Sequence, residues 1–121
     1  MATKGQSYQY GNSRGTPTKH INYKYAKDFN SKSVSRHFSE HGKEFGAKNK
    51  WDYVTKAVKF ANSIDRKKNV SFIDENGSTY KYQAQTNQFA IIDKNGIIIT
   101  YFKPKDGKNY YDNQKKSKER K

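Results

Sequence analysis

The sequence contains no cysteine, and it has only two prolines, one tryptophan and one methionine in 121 residues. The absence of cysteine excludes disulfides and cysteine-ligated zinc, and it leaves the redox compartment open. No apolar run approaches the roughly 20 residues that cross a bilayer, so no membrane span is predicted. The first residues also lack an apolar signal region, and we therefore expect a chain that does not export itself.

Hydrophobic residues are also scarce, at 31% of the chain. The length is enough for one domain, and this low apolar content predicts that part of the chain is extended or tail-like. Aromatic residues are the exception, with ten tyrosines and seven phenylalanines. Tyrosine can pack into a core while its polar tip contacts water or a ligand.

Acidic residues are few relative to basic ones, 11 against 25, which gives a formal net charge of +14. A field of this size attracts polyanions, and nucleic acid is the best partner class. On charge alone, an acidic protein that covers the basic surface fits equally well.

The composition divides the chain into three parts. Residues 1–32 are rich in Gly, Ser, Thr, Asn, Lys and Tyr, which predicts a flexible basic arm or linker. Residues 33–104 carry the periodic patterns of a folded domain. Residues 105–121 are predicted to be a charged, frayed basic tail in which Tyr110 and Tyr111 are able to dock.

Periodicity predicts an α+β fold. A short helix is expected over Val34 to His41 with Ser33 as its cap, and a longer one over residues 50–64 with Asn49 as its cap. The apolar stripe of the longer helix is predicted to comprise Trp51, Val54, Ala57, Val58, Ala61 and Ile64. Four strands follow at residues 70–73, 79–84, 89–92 and 97–103, with Asn-Gly turns after the first and third.

These elements predict two N-terminal helices packed on one face of a four-stranded antiparallel β-meander. The other face of the sheet is expected to stay polar and open, as a platform for substrate. Strict alternation in the last strand would place Ile98, Thr100 and Phe102 on one face, and Ile97, Ile99, Tyr101 and Lys103 on the other. Tyr101 could then be either a core residue or a stacking surface for a base.

Two histidines, His37 and His41, are four residues apart and share a face of the first predicted helix. A zincin site would require Glu directly after the first histidine, but Phe38 stands there and no third ligand is evident. We therefore expect neither a metal nor another cofactor. The pair is either an acid–base site or two ordinary surface histidines. His20 lies in the arm and is given no role.

Three segments carry a resemblance to a known family. The segment His41-Gly42-Lys43-Glu44-Phe45-Gly46 resembles the helix-end motif of the colicin D-type nuclease domain. The segments over residues 86–96 and 99–104 resemble that family's penultimate strand with its turn and its last strand. The same order of elements occurs in toxin tips of contact-dependent inhibition and other polymorphic toxin systems. The resemblance covers about residues 33–104 and implies the barnase/EndoU/colicin-type RNase fold.

The resemblance implies roles for individual residues. His41 takes the place of the catalytic histidine, Thr100 that of the active-site hydroxyl residue, and Phe102 that of an aromatic near the substrate. The family has Lys just before the histidine, whereas this chain has Glu40. The missing cation could come from Arg36, Lys43 or Lys103, which are candidate RNA-binding residues together with Tyr101. Alternatively, His37 acts as a second proton-transfer group.

The implied activity is that of a bacterial toxin endoribonuclease that needs no metal. It would cleave RNA, by resemblance the anticodon loop of tRNA, by attack of the ribose 2′-OH to leave a 2′,3′-cyclic phosphate. The resemblance also implies an acidic cognate immunity protein, a domain that is monomeric when free, and secretion as the C-terminal part of a larger bacterial effector that acts in the cytoplasm of the target cell. Two alternatives remain: a non-catalytic basic nucleic-acid-binding module and a metal-dependent DNase toxin.

Overall fold

A computed structural model describes residues 26–65 and 68–120. The described chain forms three α-helices, five strands and one 3-10 turn. The helices are α1 (Val34–His41), α2 (Lys50–Asn62) and α3 (Lys108–Lys118), and the 3-10 turn spans Gly42–Phe45. The strands are β1 (Asp28–Phe29), β2 (Asn69–Ile73), β3 (Thr79–Gln83), β4 (Gln88–Ile92) and β5 (Ile97–Phe102).

The predicted α+β class is confirmed, but the sheet differs from the predicted one. Its strand order is β1-β5-β4-β3-β2, in which β2 to β5 form an antiparallel meander and β1 pairs in parallel with β5. The sheet is therefore five-stranded and mixed, not four-stranded and antiparallel. A two-residue strand leaves no periodic pattern in the sequence, which is why β1 was missed.

Strand β1 belongs to the segment that was predicted to be an arm. Ala26 and Phe29 are buried in the core, and the side-chain amide of Asn62 bonds both backbone groups of Ala26. The remainder of the predicted arm, residues 1–25, lies outside the described residues, as does His20.

The predicted cap of α2 is confirmed, because the Asn49 side chain accepts a hydrogen bond of 2.8 Å from the backbone N–H of Asp52. Ser33 makes no such bond at the start of α1. The buried stripe of α2 is also rotated from the predicted one. Trp51 and Ile64 are exposed, whereas the buried residues are Tyr53, Ala57, Phe60 and Ala61. Two large aromatic rings two turns apart bury more area against the sheet than the aliphatic stripe would.

The two faces of the sheet are both covered, which corrects the expectation of one open polar face. Helices α1 and α2 pack on one face around Tyr53, Phe60, Ile98 and Tyr101. On the other face, α3 contributes Tyr111 to a second cluster formed by Phe72, Tyr80, Tyr82 and Phe89. Helix α3 was not predicted, and it stands where a frayed tail was expected. The predicted docking of Tyr111 is confirmed, since its side chain is buried.

A bulge in β5 overturns the predicted alternation of that strand. Ile92 pairs with Ile98, but the preceding residue, Ile91, pairs with Thr100, so Ile99 is an extra residue on β5. An extra residue reverses the alternation beyond it. Ile98 and Tyr101 consequently lie in the same core cluster, while Ile99 is exposed.

Candidate functional site

The candidate site lies along β5, where the short strand β1 ends. Strand β1 pairs only with Ile97 and Ile98, so the later residues of β5 have no strand partner on that side. Helix α1 and the 3-10 turn occupy this edge instead, because three of their side chains reach β5. His37 meets Thr100, His41 stacks on Phe102, and Glu44 bonds the backbone of Lys103.

His41 is held from two sides and is partly exposed. Its Nδ1 lies 2.8 Å from Glu44 Oε2, and its ring stacks on Phe102 with centroids 5.3 Å apart. An ionised carboxylate can only accept hydrogen bonds, so Nδ1 carries the proton in this contact. In neutral His41, Nε2 is then the basic nitrogen that can receive a proton. The side chain remains 23% exposed, which leaves the ring open to a substrate.

Glu44 links His41 to β5. Its second oxygen, Oε1, accepts a hydrogen bond of 2.8 Å from the backbone N–H of Lys103. Both carboxylate oxygens are therefore engaged, and the orientation of the carboxylate is set by the sheet. The sequence analysis included Glu44 in the family motif but gave it no role. Its position three residues after His41 was the available signal, because residues at this spacing are neighbours on a helical turn.

Gly42 allows this turn to form close to α1. A Cβ at position 42 would come within 2.7 Å of the Phe38 ring, which is too close for any side chain. The 3-10 turn then ends at Gly46, whose φ of +66° is left-handed. These two glycines bring Glu44 and Phe45 back toward β5.

Glu40 stands where the family has a lysine, and its carboxylate is beside His41. Glu40 Oε1 lies 3.7 Å from His41 Nε2 and 3.7 Å from Arg36 Nη1. Of the three candidate cations, Arg36 is thus the one that lies next to the Glu40 carboxylate. Lys43 is exposed on the 3-10 turn. The ammonium of Lys103 lies over the Phe45 ring, 5.5 Å from its centroid.

His37 occupies a more enclosed position than His41. Only 8% of it is exposed, its ring is 5.5 Å from that of Phe29, and Thr100 Oγ1 lies 3.4 Å from its Nδ1. Burial lowers the pKa of His37 from its usual value of 6.5, and the charges of Arg36 and His41 lower it further. His37 is therefore neutral at neutral pH. Its ring centroid lies 6.0 Å from that of His41.

Of the two roles considered for Tyr101, the structure shows the core residue and not a surface on which a base stacks. It is 1% exposed, one face of its ring stacks on Phe45 at 4.0 Å, and its hydroxyl donates to Gln88. The β5 bulge is the physical reason, because it turns Tyr101 toward α2. No ring face is left on which a base could stack.

The described residues hold no cluster of three His, Cys, Asp or Glu that could bind a metal ion. Within the same residues, no helix has the length and apolar character needed to cross a membrane. No protein-family model matches the chain, and comparison with curated proteins finds no relative.

Proposed function

We propose that this domain is a toxin endoribonuclease that cleaves RNA without a metal ion, with His41 as the proton-transfer group. The observation that carries the proposal is the His41–Glu44 pair. A partly exposed imidazole is fixed by a carboxylate and packed on Phe102, beside the part of β5 that β1 does not pair with. A histidine oriented in this way by a carboxylate is suited to general acid–base catalysis.

The proposed reaction is transesterification at a phosphodiester. The ribose 2′-oxygen attacks the adjacent phosphorus, the bond to the 5′-oxygen breaks, and a 2′,3′-cyclic phosphate and a 5′-hydroxyl result. His41 Nε2 takes the 2′-OH proton in this scheme, and an acid returns a proton to the leaving 5′-oxygen. Arg36, whose guanidinium lies 3.7 Å from Glu40, is our candidate for the cation that stabilises negative charge on the phosphorane.

The roles of Thr100 and His37 follow from their contact. Neutral, buried His37 is poorly placed to supply a proton, and we assign it to holding the Thr100 side chain. In this scheme His37 Nδ1–H donates to Thr100 Oγ1, so that the single Thr100 O–H proton stays available to a bound phosphate. Phe102 supports the imidazole of His41 through its ring face.

The substrate class rests on the charge and on the resemblance. A net charge of +14 favours a polyanion, and an attacking 2′-OH requires RNA. Within RNA we propose tRNA, cleaved in the anticodon loop, where bases are unstacked and accessible. The remaining parts of the proposal are an acidic immunity protein that covers the basic cleft and delivery as the C-terminal part of a larger secreted effector.

Cleavage of total tRNA in EDTA tests the proposal. The wild-type protein should produce fragments that end in 2′,3′-cyclic phosphate, identified by mass spectrometry. His41→Ala should slow cleavage by about 10²- to 10⁴-fold, the usual contribution of a general acid–base group. Glu44→Ala should slow cleavage by about tenfold, which is less than His41→Ala, because the imidazole stays but loses its orientation. Ser39→Ala, an exposed change on the same helix, is the control and should leave the rate unchanged.

The same assay separates the alternatives. Intact tRNA that is bound tightly and in a salt-sensitive manner by wild type and His41→Ala alike would establish a non-catalytic binding module. Cleavage that appears only after a divalent metal ion is added would establish a metal-dependent nuclease. Either result would refute the proposed mechanism.

A further inference from the structure

A pocket lies beside the candidate site, on the α2 face of the sheet. It has a volume of about 460 Å³, and it opens between α2 and the ends of β3, β4 and β5. Its aromatic wall consists of Phe45, Phe60 and Tyr101, which belong to or pack against the core. Glu44 is the residue that the pocket shares with the proposed catalytic pair.

The polar wall of the pocket is a chain of side-chain hydrogen bonds. The Tyr101 hydroxyl donates to the Gln88 carbonyl oxygen, and the Gln88 amide donates to Thr86 Oγ1 at 2.7 Å. The Thr86 hydroxyl donates to the Gln83 carbonyl oxygen at 2.6 Å, and the Gln83 amide donates to Asn69 at 2.7 Å. Such a chain fixes the orientation of each amide. Each glutamine –NH₂ also carries a second N–H that it can offer to a ligand.

Three lysines, Lys56, Lys59 and Lys103, line the same pocket, and Glu44 is the one acidic residue among its lining residues. Glu44 contributes little acceptor capacity there, because one oxygen binds His41 and the other binds the backbone of Lys103. Lys56 approaches Asp52 at 3.7 Å, a partly exposed contact that a stronger anion can replace. The pocket is thus rich in hydrogen-bond donors and positive charge, as an anion site should be.

We propose that this pocket binds a phosphodiester of the RNA strand that flanks the cleaved bond. Its link to the reaction is Glu44, which lines the pocket and also orients His41. A strand that runs from the His41 edge past Glu44 would bring its next phosphate to the lysines and the glutamine amides. The position next to the cleaved bond rests on the proposed function, whereas the binding of phosphodiester does not.

The test compares two doubly substituted proteins with equal net charge. Lys56→Gln with Lys59→Gln removes two pocket cations, and Lys94→Gln with Lys116→Gln removes two exposed cations from the β4–β5 turn and from α3. All proteins carry His41→Ala, so that a fluorescently labelled single-stranded RNA is bound without being cut. Fluorescence anisotropy in EDTA then gives the affinity from about 50 to 200 mM KCl.

The pocket variant should bind RNA more weakly and should show a salt slope that is shallower by about 0.7 for each lost phosphate contact. The control variant should retain the slope of its parent. In NMR spectra, RNA should also shift the side-chain amide signals of Gln83 and Gln88 in the parent and not in the pocket variant. Inorganic phosphate and a nucleoside monophosphate are the small probes, and a shift by both would identify phosphate as the recognised group.

Equal loss of slope in the pocket and control variants would overturn the proposal, because net charge alone would then explain binding. No loss in either variant would also overturn it, because the pocket lysines would then contact no phosphate. The wild-type cleavage assay is scored separately. Cleavage without a pocket effect would refute the subsite and leave the nuclease intact. A pocket effect without cleavage would establish a phosphodiester site and refute its place beside a cleaved bond.

Discussion

Glu44 decides which nitrogen of His41 can do chemistry. Because Glu44 accepts a hydrogen bond from Nδ1, Nε2 is left as the basic nitrogen. The backbone N–H of Lys103 in turn fixes the orientation of the Glu44 carboxylate. Glu40 Oε1 lies 3.7 Å from the same Nε2 and 3.7 Å from Arg36 Nη1, so one carboxylate lies beside both the imidazole and the guanidinium.

His37 shows how burial changes a residue that looks identical to His41 in the sequence. Its neutral form is favoured by burial, so its pKa in the folded protein lies below the 6.5 that it has when unfolded. The unfolded chain then binds the proton more readily than the folded one. The contribution of His37 to stability is complete above about pH 6.5 and is lost as the pH falls through the lower folded pKa.

We predict that the free energy of unfolding of the wild-type protein decreases more between about pH 7.5 and about pH 5 than that of His37→Gln, because only the wild-type protein carries the histidine whose pKa is lowered by burial. Glutamine keeps a polar group near Thr100 and does not titrate. Urea denaturation followed by circular dichroism at both pH values measures the difference. A parallel decrease in the two proteins would show that other groups cause the acid sensitivity.

In strand β5 and helix α2, the sequence pattern predicts the bounds of the element better than the face that is buried. In each case the element was predicted within a residue or two of its bounds, but the side on which each residue lies was predicted only in part. In β5 the extra residue Ile99 reverses the alternation, and in α2 Tyr53 and Phe60 take the core positions. A short element contains few repeats of the hydrophobic pattern that predicts its buried face. One bulge, or the burial of two large aromatic rings, is therefore enough to change that face.

The bulge leads to a prediction about two adjacent isoleucines. Ile98→Ala should cost about 2–5 kcal/mol of stability, because Ile98 is fully buried between the sheet and the helices. Ile99→Ala should change stability by about 0.5 kcal/mol or less, since this side chain is 39% exposed. Urea denaturation of the two variants measures both values. A larger loss in Ile99→Ala than in Ile98→Ala would contradict the observed pairing register.

The domain as a whole combines a small aromatic core with a large positive charge. Both faces of its sheet are covered by helices, so a nucleic acid has access mainly to edges and rims. The His41 edge and the lysine pocket are such places, and Glu44 connects them. Recognition should therefore depend on charge and on a few oriented donors rather than on a flat stacking platform.

We expect the affinity of His41→Ala for tRNA to fall by about 10- to 100-fold between about 50 and 200 mM KCl, the range for a few released counterions. Filter binding or anisotropy in EDTA measures this dependence. Affinity that does not respond to salt would mean that apolar contacts dominate binding, contrary to the role assigned to the +14 charge.

Local chemistry explains which features were predictable. The Asn-Gly turns at Gly77 and Gly96 were predicted, and both glycines have the left-handed φ of 85° that such turns require. The bounds of α1 and the positions of β2 to β5 also follow from neighbouring residues. The shared face of His37 and His41 follows from helical spacing alone, and their rings are indeed 6.0 Å apart.

The contacts that make a site join residues far apart in the chain, and no local pattern encodes them. Glu44 bonds a backbone group 59 residues away, and His37 meets Thr100 at a separation of 63. Strand β1, the bulge at Ile99 and the docking of α3 likewise depend on which surfaces meet after folding. Turn and helix preferences act over a few residues, whereas the packing of the core depends on contacts between residues from the whole chain. The two histidines and the spacing of Glu44 three residues after His41 are therefore present in the sequence, and the tertiary structure decided that Glu44 is fixed to the backbone of Lys103.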